Sequence, residues 1–282
     1  MTAAVVTRVR LDLGYDGSGF SGWAAQPGRR TVEQTLAEAL AQVLRLEAPP
    51  KLVVAGRTDA GVHATGQVAH VDLPAEALAR APGRSDREPA AALLTRLSGV
   101  LPPDLRVHGV EPAAPGFDAR FSALRRHYAY RLTDEPSGVA PLRRHDVVGH
   151  RRPLDVEAMD DASARLVGLR DFAAFCKLRD GATTVRTLLT YSWARDAGLI
   201  VGTVVADAFC HSMVRALVGA VLPVGEGRRP AGWPLEVLTA GVRDPHVTVA
   251  PPHGLVLERV DYPDDDGLAA RAAQARAVRT LD

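Results

Sequence analysis

Apolar and polar positions alternate from Val9 to Leu13, which predicts a strand, and the turn-rich run Tyr15-Asp16-Gly17-Ser18-Gly19 ends it. Thr31 stands as an N-cap, and Leu36, Leu40, Val43 and Leu44 form an apolar stripe, so a helix is expected to about Leu46. Leu52-Val53-Val54 and Gln67-Val68-Ala69-His70-Val71 read as two short strands with a loop between them. Ala90 to Val100 has helical spacing, and Leu105 to Val110 reads as a closing strand after Pro102-Pro103. The Pro-, Gly- and charge-rich stretch from Arg80 to Glu88 is expected to be a mobile excursion.

The same order recurs in the second half. A strand is expected from His127 to Leu132 and a helix from Leu154 to Leu169. A hairpin follows, Leu188 to Trp193 and Leu199 to Val205, turning at Asp196-Ala197-Gly198. Helices from Met213 to Val224 and from Leu235 to Ala240 precede a last strand, Leu255 to Asp261. Each half thus reads β-α-β-β-α-β, the element order of ferredoxin-like domains, and the fold class is α+β. The division falls at residues 1–115 and 116–282, and the repeat is one of element order without identity between the halves. Two such sheets can lie side by side and leave a catalytic cleft between them.

Length and composition narrow the picture. A chain of 282 residues with 46% hydrophobic content supports one large domain or two medium ones with their own cores. No apolar run approaches the roughly 20 residues that cross a bilayer, and the charged start of the chain has no signal-peptide character, so a cytoplasmic location is expected. The two cysteines, Cys176 and Cys210, are expected to be reduced thiols, and no Cys/His spacing suggests a metal site. A net charge of +1 would not by itself suggest a nucleic-acid partner. Basic clusters at Arg125-Arg126-His127, Arg143-Arg144-His145 and His150-Arg151-Arg152 restore that option locally, because affinity follows the phosphates neutralised rather than total charge.

The chemistry concentrates in the loop Ala55-Gly56-Arg57-Thr58-Asp59-Ala60-Gly61-Val62-His63, between two strands. Gly56 and Gly61 flank Asp59 and would let backbone approach a ligand closely or adopt unusual dihedrals. On its own the segment reads first as a turn whose aspartate bonds its own backbone, and Arg57 as a surface arginine.

The combination of segments changes that reading. Tyr15-Asp16-Gly17-Ser18, Gly22-Trp23, Arg30-Thr31-Val32-Glu33, the Asp59 loop through Ala64, and Gly66-Gln67-Val68 follow one another in order. After them come Phe117 to Ala123, Tyr128-Ala129-Tyr130, Ala208 to Arg215 and Gly254-Leu255. Together they closely resemble the TruA-type family of tRNA pseudouridine synthases, over essentially the whole chain. The resemblance implies the pseudouridine synthase fold and isomerisation of uridine to pseudouridine in the anticodon stem-loop of tRNA, typically at positions 38, 39 and 40. It implies a homodimer that needs no cofactor. It makes Asp59 the catalytic aspartate, Arg215 its basic partner, Arg57 the residue that helps displace the target base, and Tyr128 the aromatic beneath the flipped uracil, with Leu255 lining the uracil pocket. Three features depart from the family pattern: Ala24 after Trp23, His127 before Tyr128, and the length of the Arg80 to Glu88 excursion.

These roles make chemical sense. The reaction breaks the N1 to C1′ bond, turns the uracil and joins C5 to C1′, so both fragments must be held together. A carboxylate can attack a carbon or remove a proton only when ionised, and an arginine beside it favours that form. Flipping the base costs a few kcal/mol, which an arginine wedge and an aromatic platform worth about 1–3 kcal/mol can offset. Arg120, Lys177 and Arg179 are candidates for phosphate contact. Two other readings fit the residues less well. A non-catalytic protein of two RRM-like halves would need a string of exposed sheet aromatics, and only 5% of residues are aromatic. A phosphate-handling enzyme using Asp16 to Gly19 would need a GxxxxGK[ST] or GxGxxG loop that the sequence lacks.

Overall fold

The computed structural model describes residues 5–177 and 183–276, which form two compact units. The first comprises residues to Leu124 together with Arg259–Arg276, and the second Arg125–Glu258. The chain passes from the second back to the first within its last strand.

In the first unit the alternation seen at Val9 to Leu13 extends into β1 (Val6–Tyr15), whose inward side chains Val9, Leu11 and Leu13 are fully buried. Helix α1 (Val32–Leu44) starts where Thr31 accepts a hydrogen bond from the Gln34 N–H at 3.4 Å, a cap of about 1 kcal/mol, and it buries the expected stripe. Strand β2 (Leu52–Val54) leads through the Asp59 loop into β3 (His63–Pro74). Two helices follow, α2 (Ala75–Ala79) and α3 (Pro89–Val100), then β4 (Leu105–Pro112). β1 is central: it pairs antiparallel with both β3 and β4, and β2 lies along β3. The Arg80 to Glu88 stretch begins as a chain of turns, Ala81 N–H to Leu78, Gly83 N–H to Arg80 and Ser85 N–H to Pro82, with Ala81 buried.

The second unit opens with β5 (Arg125–Thr133) and the short β6 (Val148–Gly149) parallel to it. Helix α4 spans only Val156–Ala164, capped by Asp155, rather than the expected Leu154 to Leu169. Gly168, at φ 119°, turns the chain into an unforeseen edge strand, β7 (Gly168–Asp171). The hairpin of β8 (Val185–Asp196) and β9 (Leu199–Ala206) turns through Ala197 and Gly198, both at positive φ, as a two-residue hairpin loop requires. The sheet order is β5-β9-β8-β7. Helices α5 (Met213–Gly225) and α6 (Trp233–Ala240) and strand β10 (Leu255–Asp261) complete it, and α7 (Leu268–Arg276) belongs to the first unit. The α+β class holds.

The two cysteines differ from expectation. Cys176 and Cys210 are joined in a disulfide, Cα atoms 5.6 Å apart, because the Lys177 N–H bonds the His211 carbonyl at 3.2 Å and brings the two segments together. Among the described residues, no helix is long and apolar enough to cross a membrane, and no group of three or more His, Cys, Asp or Glu is placed to hold a metal ion.

Candidate active site

The Asp59 loop is fastened at alternate residues. The Gly56 carbonyl accepts from Gln67 Nε2 at 2.9 Å. The Thr58 carbonyl accepts from the Trp23 N–H at 3.1 Å, and Thr58 Oγ1 lies 2.8 Å from the Tyr15 hydroxyl. Thr58 is thereby buried, Arg57 is exposed and Asp59 half-buried; at Gly56 it is the carbonyl that is held, while the side where a Cβ would stand is open. The Asp59 carbonyl then accepts from the Val62 N–H at 3.2 Å, closing a turn through Gly61, whose φ of 78° fulfils the unusual-dihedral reading.

A second loop braces the first. The Gly61 N–H donates to the Phe20 carbonyl at 3.4 Å, and the Gly17 N–H donates to His63 Nδ1 at 2.9 Å. Arg30 stacks its guanidinium over the Phe20 ring at 4.0 Å while making a two-pronged ion pair to Asp104, 2.7 Å on each prong. The Asp104 carboxyl is held below its ordinary pKa chiefly by that Arg30 hydrogen bond.

Beneath the loop lies a buried polar group whose members stand in the family motifs but to which the sequence alone assigns no role. Tyr15 is 5% and Gln67 0% exposed, and Gln67 Nε2 donates to the Tyr15 oxygen at 3.2 Å. Burial pushes the Tyr15 phenol up to about 12, against the opposing pull of its Thr58 and Gln67 hydrogen bonds. The available signal is the place of Tyr15 and Gln67 within the motif segments Tyr15-Asp16-Gly17-Ser18 and Gly66-Gln67-Val68.

The second unit gathers other expected residues. Arg215 sits in the first turn of α5, where its Nε donates to the Ala250 carbonyl at 2.7 Å and its own carbonyl accepts from the Ala250 N–H at 3.0 Å. The Tyr130 hydroxyl donates to the adjacent Pro251 carbonyl at 3.0 Å, close enough to Arg215 for the cation to act on it. Tyr128, two residues earlier on β5, shares the face of Tyr130 and meets Phe209 edge-on at 5.2 Å between ring centres. Leu255, 5% exposed, follows the same 250–254 segment. Arg215 is thus bonded to the strap of chain that leads into Leu255, and Tyr130, two residues after Tyr128, is bonded to it as well. Lys177 is exposed, its backbone tied to His211. Arg120, in the first unit, is exposed with its guanidinium 5.0 Å from the Phe121 ring, and Arg179 lies outside the described residues.

The family profile described as tRNA pseudouridine synthase matches residues 162–263. A Streptomyces griseus protein named tRNA pseudouridine synthase A is 59% identical over 276 residues, 97% of this chain and 94% of its own length. Proteins of that name from Frankia casuarinae and Mycobacterium leprae are 59% and 53% identical, covering 99% and 97% of this chain and 97% and 96% of themselves. The chain belongs to the tRNA pseudouridine synthase A family. A solved chain from a Cbf5-Nop10-Gar1 complex aligns over 76% of this chain and 54% of that one, at 13% identity and a TM-score of 0.29, too low to carry an argument.

Proposed function

We propose that the chain isomerises uridine to pseudouridine in the anticodon stem-loop of tRNA, with Asp59 as its catalytic carboxylate. The carrying observation is the Asp59 loop itself: it is tied down through the Gly56 carbonyl and the buried Thr58 side chain, with Arg57 exposed and Asp59 half-buried on either side of Thr58. Membership of the family supports the reaction and disfavours a non-catalytic RNA-binding role.

The chemistry asks for little else. The bond broken, N1 to C1′, and the bond made, C5 to C1′, lie within one nucleotide; C5 gives up a proton and N1 gains one, so the redox state is unchanged and no cofactor is required. Three routes fit an ionised carboxylate: addition to C1′, addition to C6, or removal of the 2′ proton. In this reading Arg57 fills the space left by the flipped base, Tyr128 stacks on the uracil, Leu255 lines its pocket and Arg215 is the cationic partner of the aspartate. Arg120, Lys177 and Arg179 contact phosphates. The first unit bears the aspartate loop and the second bears Tyr128, Arg215 and Leu255, and the protein works as a cytoplasmic homodimer.

The test uses tRNA tritiated at uridine C5, since the new carbon bond must expel that hydrogen. Wild type should release tritium, and Asp59→Ala should bind the tRNA without release; undiminished release by Asp59→Ala would overturn the assignment.

A further inference from the structure

Three buried side chains under the Asp59 loop form a hydrogen-bond chain whose direction can be worked out. An amide nitrogen only donates, and Gln67 Nε2 sends one hydrogen to the Gly56 carbonyl at 2.9 Å and the other to the Tyr15 oxygen at 3.2 Å. The carbonyl partner on Gly56 fixes which end of the amide is the nitrogen, and Gln67 Oε1 accepts from the Val68 N–H at 3.2 Å. Tyr15 therefore accepts from Gln67. Its own proton needs an acceptor in a buried setting, and Thr58 Oγ1 at 2.8 Å takes it. The order runs Gln67 to Tyr15 to Thr58, and each donor polarises the next.

The strands are shaped to allow this. Leu13 pairs with Gln67 and Tyr15 pairs with Ala64, so two residues on β1 span three on β3, a bulge of the kind that re-aims side chains beside active sites. Leu13, the partner of Gln67, lies two residues before Tyr15, so pairing and alternation put the tyrosine and the glutamine on one face, beneath a loop 43 residues away in sequence from Tyr15. The raised phenol of Tyr15 keeps its proton throughout the neutral range, so the direction does not invert there.

We propose that Tyr15, Thr58 and Gln67 are positioning residues for the reaction: their one-way hydrogen-bond relay locks residues 56 and 58 and so fixes where the Asp59 carboxylate stands. The proposal rests on Asp59 being the catalytic group. None of the three touches substrate in this role; they act through the loop, and a misplacement near 1 Å can cost about a hundredfold in rate.

The experiment measures tritium release, tRNA affinity and thermal midpoint for Tyr15→Phe, Thr58→Val, Thr58→Ser, Gln67→Glu and the Tyr15→Phe/Thr58→Val pair, beside Asp59→Ala. Tyr15→Phe and Thr58→Val should lower kcat by roughly tenfold to a hundredfold with KM and tRNA Kd nearly unchanged. Thr58→Ser, which restores the hydroxyl, should recover most of the rate, and the double variant should be little worse than the poorer single one, because one relay is broken twice. Gln67→Glu supplies a signature that packing alone would not. An ionised carboxylate in place of the Gln67 amide accepts from Tyr15 and reverses the relay, whereas a protonated one can donate as the amide did; the kcat of Gln67→Glu relative to wild type should therefore rise as pH falls. Thermal midpoints that drop while kcat of the folded protein stays at the wild-type value would overturn the proposal, as would a reduced Gln67→Glu ratio flat with pH, or serine failing to rescue. Undiminished release by Asp59→Ala would instead remove the underlying assignment, so the two failures are distinguishable.

Discussion

Gly22 lies directly against Thr58: a methyl group on Gly22 would stand 3.0 Å from the Thr58 carbonyl oxygen and 3.2 Å from the Ala60 nitrogen, and the Gly22 φ is 92°. The loop before α1 and the loop bearing Asp59 are thus interlocked through backbone. Gly22→Ala meets both a strained dihedral and a crowded neighbour, so a loss of about 1–3 kcal/mol in stability is expected together with slower turnover. Gly56, by contrast, has no heavy atom within 4 Å of where its Cβ would lie. Gly56→Ala should keep the wild-type thermal midpoint; if RNA backbone approaches there, KM alone rises. Thermal melts and tritium release on both variants check this.

His70 makes a pH prediction with a definite sign. It is 3% exposed on β3, and its Nδ1 accepts from the Ala119 N–H at 3.0 Å, which fastens the 117–123 turn to the sheet. Burial, helped by the nearby Arg8 cation, holds its pKa below the ordinary 6.5. The unfolded chain therefore takes up a proton near pH 6.5 that the folded one refuses, so stability present above that pH is lost as pH falls through it, by up to about 1.4 kcal/mol per unit. His70→Gln keeps an acceptor and cannot titrate. Its thermal midpoint should vary less between pH 7.5 and 5.5, roughly the window of an ordinary histidine, than that of wild type.

What the sequence made legible was local. β1, α1, β2, the β8–β9 hairpin and β10 announce themselves by period, cap or turn dipeptide within a dozen residues. α4 misled because Leu154, Leu166 and Leu169 keep a helical spacing beyond its ends. Leu154 in fact precedes the Asp155 cap, and Leu169 is 52% exposed on an edge strand. The Asp59 loop was legible as a loop between strands, and its kinship was carried by the motifs. The relay beneath it was not, since its members meet across 43 and 52 residues, nor was the Cys176–Cys210 pairing across 34. Long-range partners of this kind leave no periodic trace.

Tyr128 can be divided into filler and platform. It is 7% exposed and packs on Phe209, so Tyr128→Ala would empty a core site and confound the result with about 3–5 kcal/mol of lost stability. Tyr128→Leu fills most of the space without a π-face. It should fold with a smaller loss than alanine causes, about 1–3 kcal/mol, yet turn over roughly tenfold to a hundredfold more slowly, the equivalent of about 1–3 kcal/mol of stacking. Tyr128→Phe should stay near wild type in both respects. Single-turnover tritium release beside thermal melts separates these outcomes, and a leucine variant with full activity would reduce Tyr128 to a core residue.

The grip on RNA should show in its salt dependence, because each phosphate neutralised releases counterions and steepens the fall of log affinity with log salt by about 0.7–0.9. Arg57, Arg120 and Lys177 are all exposed. Alanine at each should weaken tRNA binding at low salt and make the slope shallower by about one, so that wild type and variant converge as salt rises. Arg165 is the matched control: it is an exposed cation already paired with Asp161 at 2.9 Å along α4. Arg165→Ala should leave the slope unchanged, which tests whether the effect belongs to particular cations or to charge at large. A chain with a net charge of +1 has no general attraction for a polyanion to spare. A slope of several units that individual residues can lower stepwise would therefore mean that the basic groups are concentrated along one track, whereas a flat plot would reject a phosphate-dominated grip altogether.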